Sequence, residues 1–431
     1  MALTGRAALL TLVGVVYVGL VQPGWAGIGV WALVVVAAAV ADLALAASPR
    51  ALTIERTPTG AVRLGEATSS TLTLTNPGGR TLRGTLRDAW QPSAGATGER
   101  HRLDLPAGER RRVSTALAPT RRGDRLADRV TVRSLGPLGV AARQRSVPVP
   151  GWVRALPPFT SRKHLPSRLA RLREIDGRSS VNVRGQGTEF DSLRDYVDGD
   201  DVRSIDWRAT ARRRQVVVRT WRPERDRQVL LVLDTSRTAA GRVGDAPRLD
   251  AAMDAALLLA ALASRAGDRV DLIAVDRRVR AQVLGAGATT LLSSLVNAMA
   301  PLEAERVEAD WAVAVSAVRA RLSRRALVVL LTPLEAAAVE EGLLPVLAQL
   351  TRRHQVVVAS VADPLVAAMA RARDDVDQVY DAAAAERAGL ERARLTRLLT
   401  RLGADVVDAT PDQLPPALAD RYLALKAAGR L

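Results

Sequence analysis

Two long apolar runs separated by a helix-breaking turn open this chain, and they constrain its fold more than any other feature. Residues 7–21 and 28–45 are apolar almost throughout, and Gln22-Pro23-Gly24-Trp25 interrupts them. In hydrocarbon every backbone N–H and C=O must be satisfied within the segment, so such runs span only as helices, which need about 17–25 residues. The pattern predicts a transmembrane helical hairpin over residues 1–48. Trp25 and Trp31 are expected at the outer interface, where an amphipathic ring is favoured. Arg6, Arg50 and Arg56 flank the opposite side, which the positive-inside rule makes the cytoplasm. The expected location is therefore the cell inner (plasma) membrane, multi-pass, with the soluble domains cytoplasmic. A secretory signal peptide has one apolar region, whereas this chain has two. Asp42, near the end of the second run, is expected to snorkel into the headgroups.

Over residues 49–150 short alternating stretches bounded by turn residues replace the apolar runs. Residues 70–75 lead into Asn76-Pro77-Gly78-Gly79 and then residues 82–86, and further strands are expected at 110–117 and 128–133. Period-two alternation with such punctuation predicts an antiparallel β-sandwich of immunoglobulin-like type. His101, between Arg100 and Arg102, reads as a solvated side chain, and the domain as a spacer or docking module.

The formal charge of +17 suggests an anionic partner, but it comes almost wholly from arginine, Lys163 and Lys426 being the only lysines. Together with the abundance of alanine this is the signature of a GC-rich genome. The charge is thus weak support for nucleic acid and better support for a surface near anionic membrane lipid. No cysteine is present, which excludes disulfides, thiolate metal sites and a cysteine nucleophile.

A connector over residues 151–226 carries the most unusual stretch. Aromatic residues are scarce in this chain, yet Phe190, Tyr196, Trp207 and Trp221 fall within it, among interleaved Asp and Arg. One reading has Arg194, Arg203 and Asp206 locking the segment onto the following domain through charge-assisted hydrogen bonds, with a buried tryptophan. The other makes Arg212-Arg213-Arg214, with Arg219 and Arg222, a phosphate-binding surface, although acidic residues interrupt it. The phrase built from Phe190, Arg194, Tyr196, Gly199, Asp200, Arg203, Asp206, Trp207 and Arg212 closely resembles the hallmark of the family called domain of unknown function 58. Arg121-Arg122-Gly123 and Gly136-Pro137-Leu138-Gly139 extend the resemblance into the β domain. The resemblance implies a von Willebrand factor A-like domain, an association with MoxR-type AAA+ ATPases, and a role in assembling or maturing other complexes. It implies no known reaction.

Read by itself, the remainder, residues 227–431, gives a doubly wound α/β fold. Apolar strand-length runs at 228–233, 270–275, 326–331 and 355–361 alternate with helical stretches at 249–263, 336–350 and 386–401. Fully apolar strands alternating with helices mean a parallel sheet covered on both faces, which binds ligands at the carboxyl ends of its strands. On the last helix Leu390, Leu395, Leu398, Leu399 and Leu402 are expected to face inward. At the carboxyl edge stands Asp234-Thr235-Ser236-Arg237-Thr238, with the Asp-x-Ser-x-Ser spacing of a metal-ion-dependent adhesion site. A carboxylate at a strand end and two hydroxyls on the next turn aim oxygens at one point, which suits a hard cation such as Mg²⁺. Asp310 is the candidate from a second loop, and Glu335 a further acidic candidate, because Pro333 stands where the family often carries Asp. The bland alternative is that Asp234 and Ser236 serve only the turn's backbone amides.

The chain has no G-x-x-x-x-G-K-[ST] loop, no H-E-x-x-H and no G-x-S-x-G elbow. The expectation is a membrane-anchored, non-enzymatic adaptor that binds a protein partner, a MoxR-type AAA+ ATPase by the resemblance, through Asp234, Ser236, Thr238 and Glu335. The rival is anionic-lipid or nucleic-acid binding by the Arg-rich connector, and of the two ligands nucleic acid is not expected.

Overall fold

Alternation and helical period separate this chain into two units, Met1–Leu156 and Pro157–Leu431. The computed structural model describes residues 2–182, 189–198, 200–222 and 227–431.

In the first unit a short strand β1 (Ala2–Leu3) precedes helices α1 (Gly5–Leu20) and α2 (Trp25–Leu45). At about 1.5 Å per residue, α2 is long and apolar enough to cross a membrane; α1 is shorter, and α2 is the one such helix among the described residues. The two pack closely: Trp31 stacks on Tyr17 with ring centroids 5.1 Å apart. Its indole N–H donates to the Leu10 carbonyl at 3.0 Å, and Gly14 leaves the room the ring occupies. Trp31 thus sits in the helix–helix contact rather than at an interface, while Trp25 is exposed at the turn. Asp42 also departs from expectation. It is buried and accepts from the backbone N–H of Leu138, Val140 and Ala141 at 2.8, 2.5 and 3.0 Å.

The strands that follow are β2 (Thr53–Arg56), β3 (Ala61–Arg63), β4 (Thr68–Thr75), β5 (Leu82–Trp90), β6 (Ala96–Thr97), β7 (Arg100–Leu105), β8 (Arg110–Leu117), β9 (Gly123–Leu135), β10 (Ala141–Val147) and β11 (Trp152–Leu156). One sheet runs β2-β4-β8-β6. The other runs β1-β10-β9-β11-β3, with β5 pairing β9 and β7. Alternate residues of both sheets, among them Leu72, Leu74, Val113, Leu86, Leu103 and Val132, meet in one core, which makes a β-sandwich. β11 lies in this sheet, so the sandwich runs to Leu156 rather than to residue 150. His101 is held by the Thr115 hydroxyl at 3.1 Å rather than standing free in solvent.

The second unit begins with helix α3 (Leu165–Asn182) and a hairpin module: β12 (Glu189–Asp195), helix α4 (Trp207–Arg213) and β13 (Val217–Arg222). Then come β14 (Gln228–Asp234), β15 (Arg242–Val243), β16 (Ala246–Pro247), α5 (Arg248–Arg265), β17 (Arg269–Val275), β18 (Val279–Val283), α6 (Leu291–Met299), α7 (Trp311–Arg321) and β19 (Leu327–Leu331). The chain closes with a π-helical turn (Ala338–Leu343), α8 (Leu344–Thr351), β20 (Gln355–Val361), α9 (Pro364–Met369), α10 (Val376–Arg401), β21 (Ala404–Ala409) and α11 (Leu414–Ala427). The sheet order is β18-β17-β14-β19-β20-β21, parallel except for the edge strand β18.

Residues 229–234 and 355–361 are buried without alternation because helices cover both faces of this sheet. The single helix expected over 336–350 is broken into a π-helical turn and α8. Pro345 removes an N–H and crowds the preceding turn, so the backbone there widens. Of the leucines expected to face inward, Leu395 and Leu399 are buried and Leu398 half-buried, while Leu390 and Leu402 are exposed, against expectation.

Candidate functional site at the carboxyl edge of the sheet

The switch in strand order lies between β14 and its neighbours, and β14 ends there in Asp234. The three hydroxyls and one amide around its carboxylate form a closed set. Oδ1 accepts from the Ser236 N–H at 2.8 Å. Oδ2 accepts from the Thr332 hydroxyl at 2.6 Å and the Thr238 hydroxyl at 3.2 Å. The Ser236 and Thr238 hydroxyls are 3.1 Å apart. Burial pushes the Asp234 carboxyl up, against hydrogen bonds from Thr332, Ser236 and Thr238 that pull it down. Thr332, at the end of β19, was missed in the sequence. Its signal was the hydroxyl next to Pro333, at the strand end beside Asp234.

One strand over, Asp276 follows β17 and accepts from Thr235 Oγ1 at 3.1 Å, the Arg278 N–H at 3.2 Å and Arg280 at 2.7 Å. Burial pushes its carboxyl up, but Arg280, the Arg278 amide and Thr235 together hold it below the usual range. Asp310, expected as a ligand, is spent elsewhere: it caps α7, accepting from the Ala312 and Val313 N–H.

The donor set does not fit a tightly held divalent ion. It offers one buried carboxylate whose hydroxyl neighbours already bond to it, and Pro333 has no side-chain donor. Mg²⁺ favours one or two carboxylates among near-octahedral oxygens, most of them water, and this pocket is closed. Among the described residues no three His, Cys, Asp or Glu side chains gather.

Asp234, Ser236 and Thr238 are 2%, 0% and 2% exposed, so none can touch a partner directly. The accessible rim is formed by their neighbours. Arg237 bonds Glu308 at 2.7 Å and lies 3.7 Å from Glu335, which also bonds Arg248 at 3.2 Å. Arg248 and Glu335 then open into a groove of about 740 Å³. Its walls come from the segment just before the π-helical turn, from α9 and from α10, and include Ala336, Ala367, Ala385 and Gly389. Asp363 caps α9 by accepting from the Leu365 N–H at 2.9 Å and lines this groove. Gly389 has nothing within 4 Å of where a Cβ would stand, so packing gives no reason for a mid-helix glycine, which costs about 1 kcal/mol relative to alanine.

The connector residues come together, though not as expected. Arg194 bonds Asp200 at 2.5 Å, and Asp200 also accepts from the Val197 N–H. Asp206 caps α4 through the Arg208 and Ala209 amides and pairs with Arg219 at 2.7 Å. The Arg203 N–H donates to Asp201. Phe190 pairs with Trp221 across the hairpin by backbone register, and the Tyr196 N–H donates to the Val216 carbonyl. Gly199 lies outside the described residues. Arg194 and Asp206 therefore brace the hairpin itself rather than lock it onto the α/β domain. Trp207 is exposed, not buried. What fastens the start of this unit to the domain is Asp254 on α5, which accepts from the Thr160 and Ser161 hydroxyls at 2.7 Å each.

Residues 192–397 match the family model described as a protein of unknown function, DUF58. Uncharacterized proteins of Mycobacterium bovis and Mycobacterium tuberculosis are 30% identical to this chain over 191 residues, which is 42% of this chain and 57% of theirs. The chain thus spans little more than half the length of the curated relatives it matches. Among solved structures, the CARDB domain of the PF1109 protein from Pyrococcus furiosus, in complex with di-metal ions, is 17% identical, covering 24% of this chain and 93% of that one, with a TM-score of 0.17.

Proposed function

We propose that this protein is a membrane-anchored, non-enzymatic adaptor whose second unit is a von Willebrand factor A-like domain that grips a protein partner. The third-second-first-fourth-fifth-sixth strand order with an antiparallel third strand supports the domain assignment, together with the Asp234-Ser236-Thr238 turn. The sandwich, immunoglobulin-like in this reading, is the spacer. Both spans belong to one hairpin in the inner membrane, with the domains cytoplasmic. In support, Thr4 before α1 and Asp42 at the end of α2 bond to the same stretch, residues 138–141.

The observation that carries the reading is the contiguity of rim and groove. Asp234 holds the loop ends of β14 and β19 together, Arg237, Glu308 and Glu335 stand around them in solvent, and the groove beside them is walled by small apolar side chains. Rigid small-residue walls admit the bulky side chains of an incoming segment, and a charged rim fixes its register. The partner is a MoxR-type AAA+ ATPase, as the family resemblance implies.

Pull-down from solubilised membranes tests this. Gly389→Trp, which fills the groove from a position with open space, and Arg237→Ala with Glu335→Ala should each cut partner recovery about ten-fold or more. Recovery unchanged in both would remove this edge from the account.

A further inference from the structure

The hairpin module shows a surface that its own bracing does not explain. α4 turns Trp207, Arg208, Ala211 and Arg212 to solvent. Ala211 lies one turn on from Trp207 and Arg212 one turn on from Arg208, so the indole and the two guanidinium groups occupy adjacent stripes of the exposed side of α4. Trp207 is 69% exposed, and in the same module Val197 and Val202 are each 62% and Val216 41% exposed. This is an apolar display in a protein with only 3% aromatic residues.

Arg213 and Arg214 extend the charge. Arg214 is the only non-glycine with positive φ among the described residues, at 56°. It occupies the left-handed position that ends α4, which glycine or asparagine fills with less strain. Keeping arginine there makes sense if its charge is used. Of the acidic residues in the loop, Asp200 is taken by Arg194, Asp201 by a backbone amide, and Asp206 by α4 and Arg219. Asp195 and Asp198 remain exposed at the preceding strand end and turn. They confine an anionic contact to the α4 face.

We propose that this face is a peripheral docking site for an anionic bilayer, with Trp207 and Val202 entering the headgroup region and Arg208, Arg212, Arg213 and Arg214 meeting lipid phosphates. An exposed indole flanked by guanidinium groups is the chemistry of interfacial anchoring. The same chain carries the apolar helix Trp25–Leu45, so the proposal rests in that respect on the membrane-anchored reading. Nucleic acid would use the same arginines and could stack a base on Trp207, but the exposed valines of the module add nothing to such a contact, whereas a bilayer interface buries them.

The absence of cysteine makes the test clean. Val202→Cys and Val216→Cys, each spin-labelled in the full chain, are reconstituted in nanodiscs of phosphatidylcholine with or without phosphatidylglycerol. Both labels should shift from water-soluble to lipid-dissolved relaxant only in the anionic discs. Arg208→Gln with Arg212→Gln should reduce the membrane-bound to free ratio roughly 25-fold, at about five-fold per arginine. Failure of the chain to enter the discs would count against the anchor instead, and pelleting with preformed anionic vesicles would then test this face alone. Labels equally aqueous in both lipids, with no vesicle binding, overturn the proposal. So does protection that needs an added oligonucleotide.

Discussion

Replacing Asp234 by asparagine should not weaken this protein, whereas replacing it by alanine should. The carboxylate is buried without a cationic partner, and that burial raises its pKa. A carboxyl raised in the folded state stabilises fully only below its unfolded pKa, about 3.9. That stability is lost as pH rises through the folded value. In Asp234→Asn the new amide keeps an oxygen for the Ser236 N–H, and its NH₂ can donate to the Thr332 and Thr238 hydroxyls, which rotate to accept. This variant should therefore be at least as stable as wild type at pH 7, the margin having widened as pH rises from the unfolded towards the folded pKa of the wild-type carboxyl and staying constant above it. Asp234→Ala orphans the Ser236 amide and the Thr332 hydroxyl, at about 1–3 kcal/mol each, or roughly 2–6 kcal/mol together. At about 2–4 °C per kcal/mol the two variants should melt roughly 5–20 °C apart. Calorimetry of the full chain in detergent, between pH 5 and 8, reads this directly. An Asp234→Asn variant that melts as low as Asp234→Ala, beside a wild type that Mg²⁺ stabilises, would refute the argument, because the charge would then be matched by a cation.

Three further outcomes follow from buried charges elsewhere. Asp88 is fully buried, takes two bonds from Arg56 at 2.7 and 3.0 Å and one from the Trp90 indole at 3.1 Å. Asp88→Ala leaves that guanidinium buried and should cost the sandwich about 3–5 kcal/mol, seen as a lower first melting transition. Asp42→Ala should expose the Val140 and Ala141 amides to hydrogen exchange, since each loses its acceptor; unchanged protection would mean that another acceptor takes over. At Asp271 burial pushes the carboxyl up, but Arg321, the Gly285 N–H and Gln228 hold it below the usual range. That stability is present at neutral pH and lost as pH falls through the lowered value. Arg321→Gln should therefore be destabilised at pH 7, with the gap to wild type closing on acidification.

The parallel sheet was legible because a strand covered on both faces is apolar without alternation, and residues 229–233 and 356–359 are. Asp234 was legible as the polar residue ending such a run. Thr332 and Asp276 were not, because their roles depend on register between strands far apart in sequence. Asp310 misled, since an acidic residue before a helix serves as a cap or a ligand with the same local pattern. The connector misled in a second way. Interleaved Asp and Arg did signal a braced segment, but pattern alone does not say whether the braces close within the segment, as Arg194–Asp200 and Asp206–Arg219 do. Asp42 reads as a headgroup residue until the loop that meets it is known.

On the proposed function, the rim and groove at the carboxyl edge of the sheet hold a protein partner. A photo-crosslinking amino acid placed at Arg237, at Ala388 in the groove, or at exposed Leu126 on the sandwich would test it most directly in native membranes. The account predicts one shared adduct, an AAA+ ATPase, from Arg237 and Ala388, lost on adding Gly389→Trp, and no such adduct from Leu126. Absence of that adduct from both edge positions, or its appearance at all three, would contradict it.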